Sequence, residues 1–430
     1  MVNYKNAQPQ LLENTQAVMS FLGWFPTACL EQLISMVMAR TKRSSNVLSM
    51  KALALRSTNT KMVNPIAFSA VKGTVVEVVF QQGKFVEDFM PNSTLKSSIP
   101  EAKLEAVETA LQTAFNTRNV ESIQLLTGGF SSALVYKITV NGKAYVLRLI
   151  MQIDPLSDPV RQYACMNMAA EAGISPQVYY FSTEDALAIT DFIEAVPLSK
   201  YVGSRDDLLT EFAKMIESIH AISLFPEFVN FMDGIDGFIQ EFKASKVLPE
   251  TATAEVFNYY SEIQMVYPRH DRDLVSGHND LNPHNILFDG KKFWVIDWEG
   301  AFGNDRYVDL AIVANSFVTT EKQENIYLKA YFGDALDDYK RDRFFLMQQV
   351  CHIFYALPFM KFAAALRPPN FVHDSSMDTP CYRQFCWQLG AGEVSLNSYE
   401  GKLLFGKVLL NEALQNMKTA RFVRAIEKMA

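Results

Sequence analysis

An α+β fold, with strands gathered in one stretch and helices in the long remainder, is what the sequence predicts, and three observations carry that expectation. From Ser122 onward, apolar runs at 134–140 and 144–150 flank Asn141-Gly142, a dipeptide suited to a two-residue hairpin turn. A second hairpin signal follows at Asp289-Gly290-Lys291-Lys292, which joins the short apolar runs 286–288 and 293–296. Residues 312–430 then read as helical, and CHIFYALPFMKFAAAL is apolar on all sides, as helices of a core are.

The chain has 430 residues, of which 49% are apolar and 20% charged, an ordinary globular composition. Single cores stop growing at roughly 250–300 residues, so more than one structural unit is expected. The net charge of −7 gives no reason to expect nucleic-acid binding. Cys29, Cys165, Cys351, Cys381 and Cys386 are odd in number and form no CxxC pair, so neither a disulfide framework nor a zinc site is predicted, and a reducing, cytoplasmic setting is the simplest expectation. The apolar run 17–30 is too short for a membrane span, and Glu13 rather than a basic cluster precedes it, unlike a signal peptide.

Residues 1–95 form an N-terminal extension of unknown role. Leu30, Leu33, Ile34, Val37 and Met38 share one helical face. Segment 40–72 carries Arg40, Lys42, Arg43, Lys51, Arg56, Lys61 and Lys72 and no acid, so it reads either as a solvated basic face or as a contact for an anionic membrane or protein surface. Thr74-Val75-Val76-Glu77-Val78-Val79-Phe80 is β-branched and strand-like. Pro91, Asn92, Ser93 and Thr94, with Pro100 following, form the best linker, and Leu104, Val107, Leu111 and Phe115 at helical spacing open the next unit, 96–193.

Within that unit, Thr127-Gly128-Gly129-Phe130-Ser131-Ser132 lies between two strands, where glycines let backbone amides approach phosphate oxygens. Arg148 stands inside the apolar run YVLRLI and should meet an anion there, for which the phosphate oxygens of ATP are the natural candidate. Residues 158–173 read as a helix behind the sheet and 187–193 as a strand leading into the final unit, 194–430. Residues 208–221 read as a core helix of that unit, with His220 packing or capping at its end.

The stretch GHNDLNPHNILFDGKKFWVIDW, 277–298, places three oxygen-bearing side chains together, because its hairpin returns Asn285 to the side of Asp297 while Asp280 waits in the loop before it. A hard cation such as Mg²⁺ takes one or two carboxylates plus phosphates and water. Phosphoryl transfer to a hydroxyl needs metal ligands and one group that accepts from that hydroxyl. Asp280 suits the second role, and Asn285 with Asp297 the first. Each of the three alone would read as a loop cap or a strand end; their joint spacing is what points to chemistry.

HNDLNPHNIL followed by VIDWEGA resembles the catalytic and metal-binding segments of the aminoglycoside phosphotransferase and choline kinase superfamily, itself similar to the eukaryotic protein kinases. The resemblance covers roughly residues 100–365. It implies a two-lobed protein-kinase-like fold, with a small β-rich lobe and a large helical one, and makes Asp280 the base, Asn285 and Asp297 the Mg²⁺ ligands and His278 a brace of the loop. The glycine-loop hairpin is similar to that of LicA-type choline kinases, which implies nucleotide contacts at Gly128, Gly129, Ser131, Ser132 and Arg148. Segment 187–198 resembles the connection between lobes, whose backbone at Asp191, Phe192 and Ile193 would meet the adenine edge. Relatives carry a glutamate near position 162 to pair with the strand cation, where this chain has Gln162. Asp309, after Asp305 and Arg306, is read as an N-terminal cap and loop brace.

For the acceptor, Glu299 follows the metal aspartate and is placed facing the substrate with Trp298 and Tyr355. Tyr355, Phe359, Trp387 and Trp298 read either as an aromatic box for a quaternary ammonium or as core. The expected activity is transfer of the γ-phosphate of ATP to a small-molecule hydroxyl, that of choline or a related amino alcohol. An aminoglycoside kinase, a protein-directed kinase and a pseudokinase acting as a binding module stay open as alternatives.

Overall fold

The computed structural model describes residues 66–70 and 74–78 by their backbone, and 95–126, 133–269, 273–367 and 375–430 in full. The helix expected around residues 30–38, nearly all of basic segment 40–72 and glycine loop 127–132 lie outside the described residues. The chain divides into two compact units, one of which is Phe25–Ser93. This unit holds β1 (Ile66–Ala70) and β2 (Thr74–Val78), paired antiparallel with Ile66 opposite Val78.

In the other unit, a single helical turn at Leu95–Ser98 precedes α1 (Glu101–Phe115). An antiparallel sheet follows, of β3 (Ser122–Leu126), β4 (Leu134–Val140), β5 (Lys143–Leu149), β6 (Val178–Ser182) and β7 (Leu187–Asp191), in the order β3-β4-β5-β7-β6. The β4–β5 turn places Asn141 at φ 51° and Gly142 at φ 74°, the left-handed pair that an Asn-Gly hairpin needs. Alternate residues Ile138 and Leu147 are fully buried against Val107 and Leu111 of α1. Behind the sheet runs α2 (Pro159–Glu171), capped by Asp158, whose carboxylate accepts from the amides of Val160 and Arg161. This is the small β-rich lobe.

The helical lobe begins with α3 (Arg205–His220), α4 (Phe231–Ser245) and α5 (Glu250–Val266). Four short strands carry the chemistry: β8 (Leu274–Gly277), β9 (Ile286–Phe288), β10 (Phe293–Val295) and β11 (Phe302–Asp305). Then come α6 (Arg306–Phe317), α7 (Glu321–Phe332), α8 (Asp338–Leu366), α9 (Tyr382–Gly390), α10 (Tyr399–Met417) and α11 (Ala420–Met429). Phe212 of α3 is fully buried and ties the parts together, its ring 5.0 Å from Phe293 and 4.5 Å from Phe317. Among the described residues, α8 alone is long and apolar enough to cross a membrane. It packs against α4, α6, α10 and α11, however, so its apolar faces are those of a core helix. Pro358 interrupts its hydrogen-bond ladder.

The N-cap of α6 is Asp305, whose carboxylate accepts from the Tyr307 amide at 3.0 Å. This corrects the expectation that Asp309 caps the helix: it lies one turn inside and, fully buried, acts as a brace only.

Candidate active site

The loop after β8 is held by its own backbone amides. Asp309 accepts from His278 N at 2.8 Å and from Asn279 N at 2.7 Å, so one buried carboxylate fixes two consecutive peptide planes. His220 Nε2 shares Oδ2 of that carboxylate with the His278 amide, at 3.2 Å, and its Nδ1 meets the Tyr331 hydroxyl at 2.6 Å. Asn279, at φ 63°, donates to Gly300 O at 3.0 Å and accepts from Asn304 at 2.8 Å. His278 is fully buried; its Nε2 bonds Ile296 O at 2.9 Å and its Nδ1 accepts from Asp280 N at 3.3 Å. The imidazole therefore links the loop to the end of β10, and its position is that of a brace.

The β9–β10 hairpin forms across Asp289 to Lys292, with Gly290 at φ 94°. It returns the chain so that Ile296 N donates to Asn285 O at 3.0 Å. Asn285 then gives both amide hydrogens to Asp280, at 2.8 Å to the backbone oxygen and 3.0 Å to Oδ2, which leaves its Oδ1 as the atom it can offer a cation. Asp280 Oδ1 accepts from Asn282 Nδ2 at 3.0 Å and from the Tyr355 hydroxyl of α8 at 2.5 Å. Asp280 is half-buried. Burial pushes its pKa above the usual carboxylate range and the Asp297 charge pushes the same way, against the hydrogen bonds from Tyr355 and Asn282.

Asp297 follows β10 with φ 64° and ψ 67°, a left-handed conformation that costs a non-glycine residue energy and is typical of residues held for function. Its Oδ1 lies 3.0 Å from Arg148 Nη1, and Glu299 Oε2 lies 2.6 Å from Arg148 Nη2. Arg148 does meet an anion within its apolar run, the carboxylate pair of Asp297 and Glu299. The two carboxylates outweigh burial, and the guanidinium pKa is raised. Glu299, expected beside the acceptor, is engaged here. Gln162 does not face Arg148: its amide donates to Ser157 O at 3.0 Å, while Tyr163, the next residue, carries the hydroxyl that feels the arginine charge. The counter-charge that Gln162 does not supply comes from the loop after β10.

One amide oxygen and one carboxylate, beside a second carboxylate, make a donor set that fits a hard dication completed by phosphate and water. Among the described residues no group of three or more His, Cys, Asp or Glu could hold a metal, so the set is not an all-protein cage.

At the end of β7, Asp191 N donates to Gln177 O at 2.9 Å and Phe192 N to Ala144 O at 3.4 Å. Both amides serve the sheet, which narrows the donor of the expected adenine edge to Ile193. Lys143 holds the Asp191 carboxylate at 2.6 Å, and the Lys137 ammonium sits 4.1 Å from the Phe192 ring centre. Gly128, Gly129, Ser131 and Ser132 lie outside the described residues.

Of the two readings of the aromatic residues, box or core, Trp298 and Phe359 follow the core one. Trp298 is 4% exposed, its indole N–H donating to Ser175 Oγ at 3.1 Å, so it belongs to the core and cannot touch an acceptor. Phe359 packs on Phe405 at 4.7 Å. Tyr355 instead adjoins Phe354 at 5.2 Å, and Phe354 adjoins Phe231 at 5.1 Å and Phe238 at 6.2 Å. The sequence reading missed this wall, because Phe231 and Phe238 lie over a hundred residues from Tyr355 and only the packing of α4 on α8 joins them. Asn282 was also missed, although an asparagine two residues after the base is placed to bond back to it.

A family model described as the phosphotransferase enzyme family matches residues 122–345. Protein LicA of Haemophilus influenzae is 23% identical over 215 residues, 47% of this chain and 61% of that protein, so the chain spans less than two thirds of that relative. Among solved structures, a choline/ethanolamine kinase family protein from Mesorhizobium loti superposes with a TM-score of 0.53 at 18% identity, covering 76% of this chain and 99% of that one. A choline kinase from Cryptosporidium parvum Iowa II superposes with a TM-score of 0.51 at 12% identity, covering 71% and 91%. At such identities the two structures share the fold, which is the two-lobed, kinase-like one anticipated from the motifs.

Proposed function

The chain belongs to the phosphotransferase enzyme family, and from that premise we propose that it moves the γ-phosphoryl group of ATP onto the hydroxyl of a small amino alcohol, with choline the first candidate. The observation that carries this reading is the arrangement around Asp280. A half-buried carboxylate stands beside an amide oxygen and a second carboxylate, with Asn285 bonded to Asp280 and, through its backbone oxygen, to Ile296, the residue before Asp297.

Asp280 orients the acceptor hydroxyl and receives its proton as the new O–P bond forms and the bond from the γ-phosphorus to the bridging oxygen breaks, its electron pair leaving with ADP. Asn285 and Asp297 would hold Mg²⁺, which when bound neutralises phosphate oxygens. Asn285 has two tasks: its amide nitrogen aims the base, and its oxygen would be the atom offered to the metal. His278 and Asp309 keep the loop from moving while this happens, which matters because positioning is most of the catalysis in phosphoryl transfer.

Two observations support choline or a relative as acceptor. Phe238, Phe354 and Tyr355, backed by buried Phe231, lead up to Asp280, and aromatic faces attract quaternary ammonium groups. Proteins of this fold include a choline/ethanolamine kinase family member and a choline kinase. The test is thermal stability with and without ATP and Mg²⁺ across choline, ethanolamine and several aminoglycosides, followed by ADP release with each acceptor. A ligand that binds only the folded chain raises the melting temperature. A shift that needs both ATP and Mg²⁺, with a further shift and turnover for choline, upholds the reading; no nucleotide shift at any Mg²⁺ concentration sinks it.

A further inference from the structure

The hydrogen bonds on Asp280 are unevenly shared between its two oxygens. An ionised carboxylate accepts at about four lone-pair sites. Oδ1 carries two donors, the Tyr355 hydroxyl at 2.5 Å and Asn282 Nδ2 at 3.0 Å, whereas Oδ2 carries Asn285 Nδ2 alone at 3.0 Å. Among the described residues, one acceptor site is therefore left, and it is on Oδ2.

We propose that Tyr355 is a positioning residue of the transfer: with Asn282 it fills Oδ1 of Asp280 and so confines acceptance of the substrate proton to Oδ2. This rests on the kinase reading given above, because it assigns which oxygen of the proposed base does the work. The three donors come from two directions, Asn282 and Asn285 from the loop itself and Tyr355 from α8, so the carboxylate plane is fixed against rotation as well as against translation. Asn282 is held in turn, its Oδ1 accepting from His284 N at 2.9 Å. The phenol cannot exchange its role easily. Burial first, and then the charge of Asp280 and the bond to it, raise its pKa well above the ordinary tyrosine value, so it stays a donor. Cys351 and Asp309 are the other titratable groups near the Tyr355 hydroxyl, and His278 and Asp297 those near the carboxylate.

Tyr355→Phe in the full chain removes the hydroxyl and keeps the ring against Phe354. With choline as the acceptor probe, kcat should fall tenfold or more, while the KM for ATP and the thermal shift produced by ATP with Mg²⁺ stay within twofold of the parent. ADP formed without phosphocholine should rise as a share of turnover, because a carboxylate free to turn also offers Oδ1 to water. Asn282→Ala, which removes the other Oδ1 donor from a loop outside the core, should give the same pattern. Unchanged kcat and unchanged coupling in both variants would overturn the proposal, as would equal losses in kcat and ATP affinity together with a lowered melting temperature, the pattern of a merely structural role. A parent chain that neither phosphorylates choline nor hydrolyses ATP sinks the kinase reading and this assignment together, whereas an active parent with unaffected variants sinks this assignment alone.

Discussion

Asp280 and Asp297 are both carboxylates in one small volume, yet their surroundings give them different work. Asp280 is hydrogen-bonded on both oxygens and its pKa is raised by burial, whereas Asp297 is one-third exposed and faces a guanidinium. Asp280→Ala should therefore lower kcat by about 10²–10⁴-fold, the range for removing a general base, and leave the affinity for ATP with Mg²⁺ within a few-fold. Asp297→Ala should weaken that affinity itself. Calorimetric titration with a non-hydrolysable ATP analogue, with and without Mg²⁺, separates the two, and equal behaviour of both variants contradicts the division of labour. At this scale the sequence was legible where spacing is short. His278, Asp280, Asn285 and Asp297 fall within twenty residues and one hairpin, so local rules bring them together. Trp298 was misread for the same reason: adjacency to Asp297 says nothing about which way an indole turns, and a single turn of 3₁₀ helix sends it into the core.

Elements whose ends are marked by turn chemistry were read closely. The β4–β5 and β9–β10 hairpins lie where Asn141-Gly142 and Asp289-Gly290 place them, since a left-handed turn residue leaves the chain few alternatives. The start of α3 was placed late, at residue 208 in place of Arg205, because the apolar spacing begins only there. The start signal is the capping box, in which Ser204 accepts from the Asp207 amide while the Asp207 carboxylate accepts from the Ser204 amide. Ser204→Ala should lower stability by about 1 kcal/mol with no change in kcat, read from urea unfolding beside a steady-state assay. Phe212→Ala, in the middle of the same helix, should cost about 3–5 kcal/mol, because the fully buried ring bridges β10 and α6. A loss under 1 kcal/mol there would mean that the helical lobe is not packed as described.

The whole molecule holds buried groups that the reaction does not use, and one of them makes stability depend on pH. His352 of α8 is buried, which pushes its pKa from the ordinary 6.5 down to about 4. The folded chain keeps the ring neutral while the unfolded chain takes up a proton below pH 6.5. The stabilisation is therefore complete above pH 6.5 and is lost as pH falls toward 4, by roughly 3 kcal/mol at about 1.4 kcal/mol per unit. Urea midpoints measured from pH 7 to pH 4 should fall along that window, and His352→Gln should flatten the part of the slope that histidine supplies. The two-lobed layout could be anticipated because strand and helix patterns separate along the chain. The Arg148 pairing could not, since Arg148 and Glu299 are 151 residues apart and nothing local in either announces the other.

The proline inside α8 has a consequence for how this helix keeps time. Pro358 has no N–H, so the carbonyl of Phe354 lacks its helical donor, and the ladder is cut one residue before Tyr355. Helical in its backbone from Asp338 to Leu366, α8 is thus two segments in its exchange behaviour, an upstream part buried on nearly every side and a short downstream part that keeps Met360 and Ala363 in the core but exposes Lys361, Phe362, Ala365 and Leu366. Amide protons beyond Pro358 should trade with deuterium sooner than those between Phe344 and Ile353, giving one continuous helix two clocks.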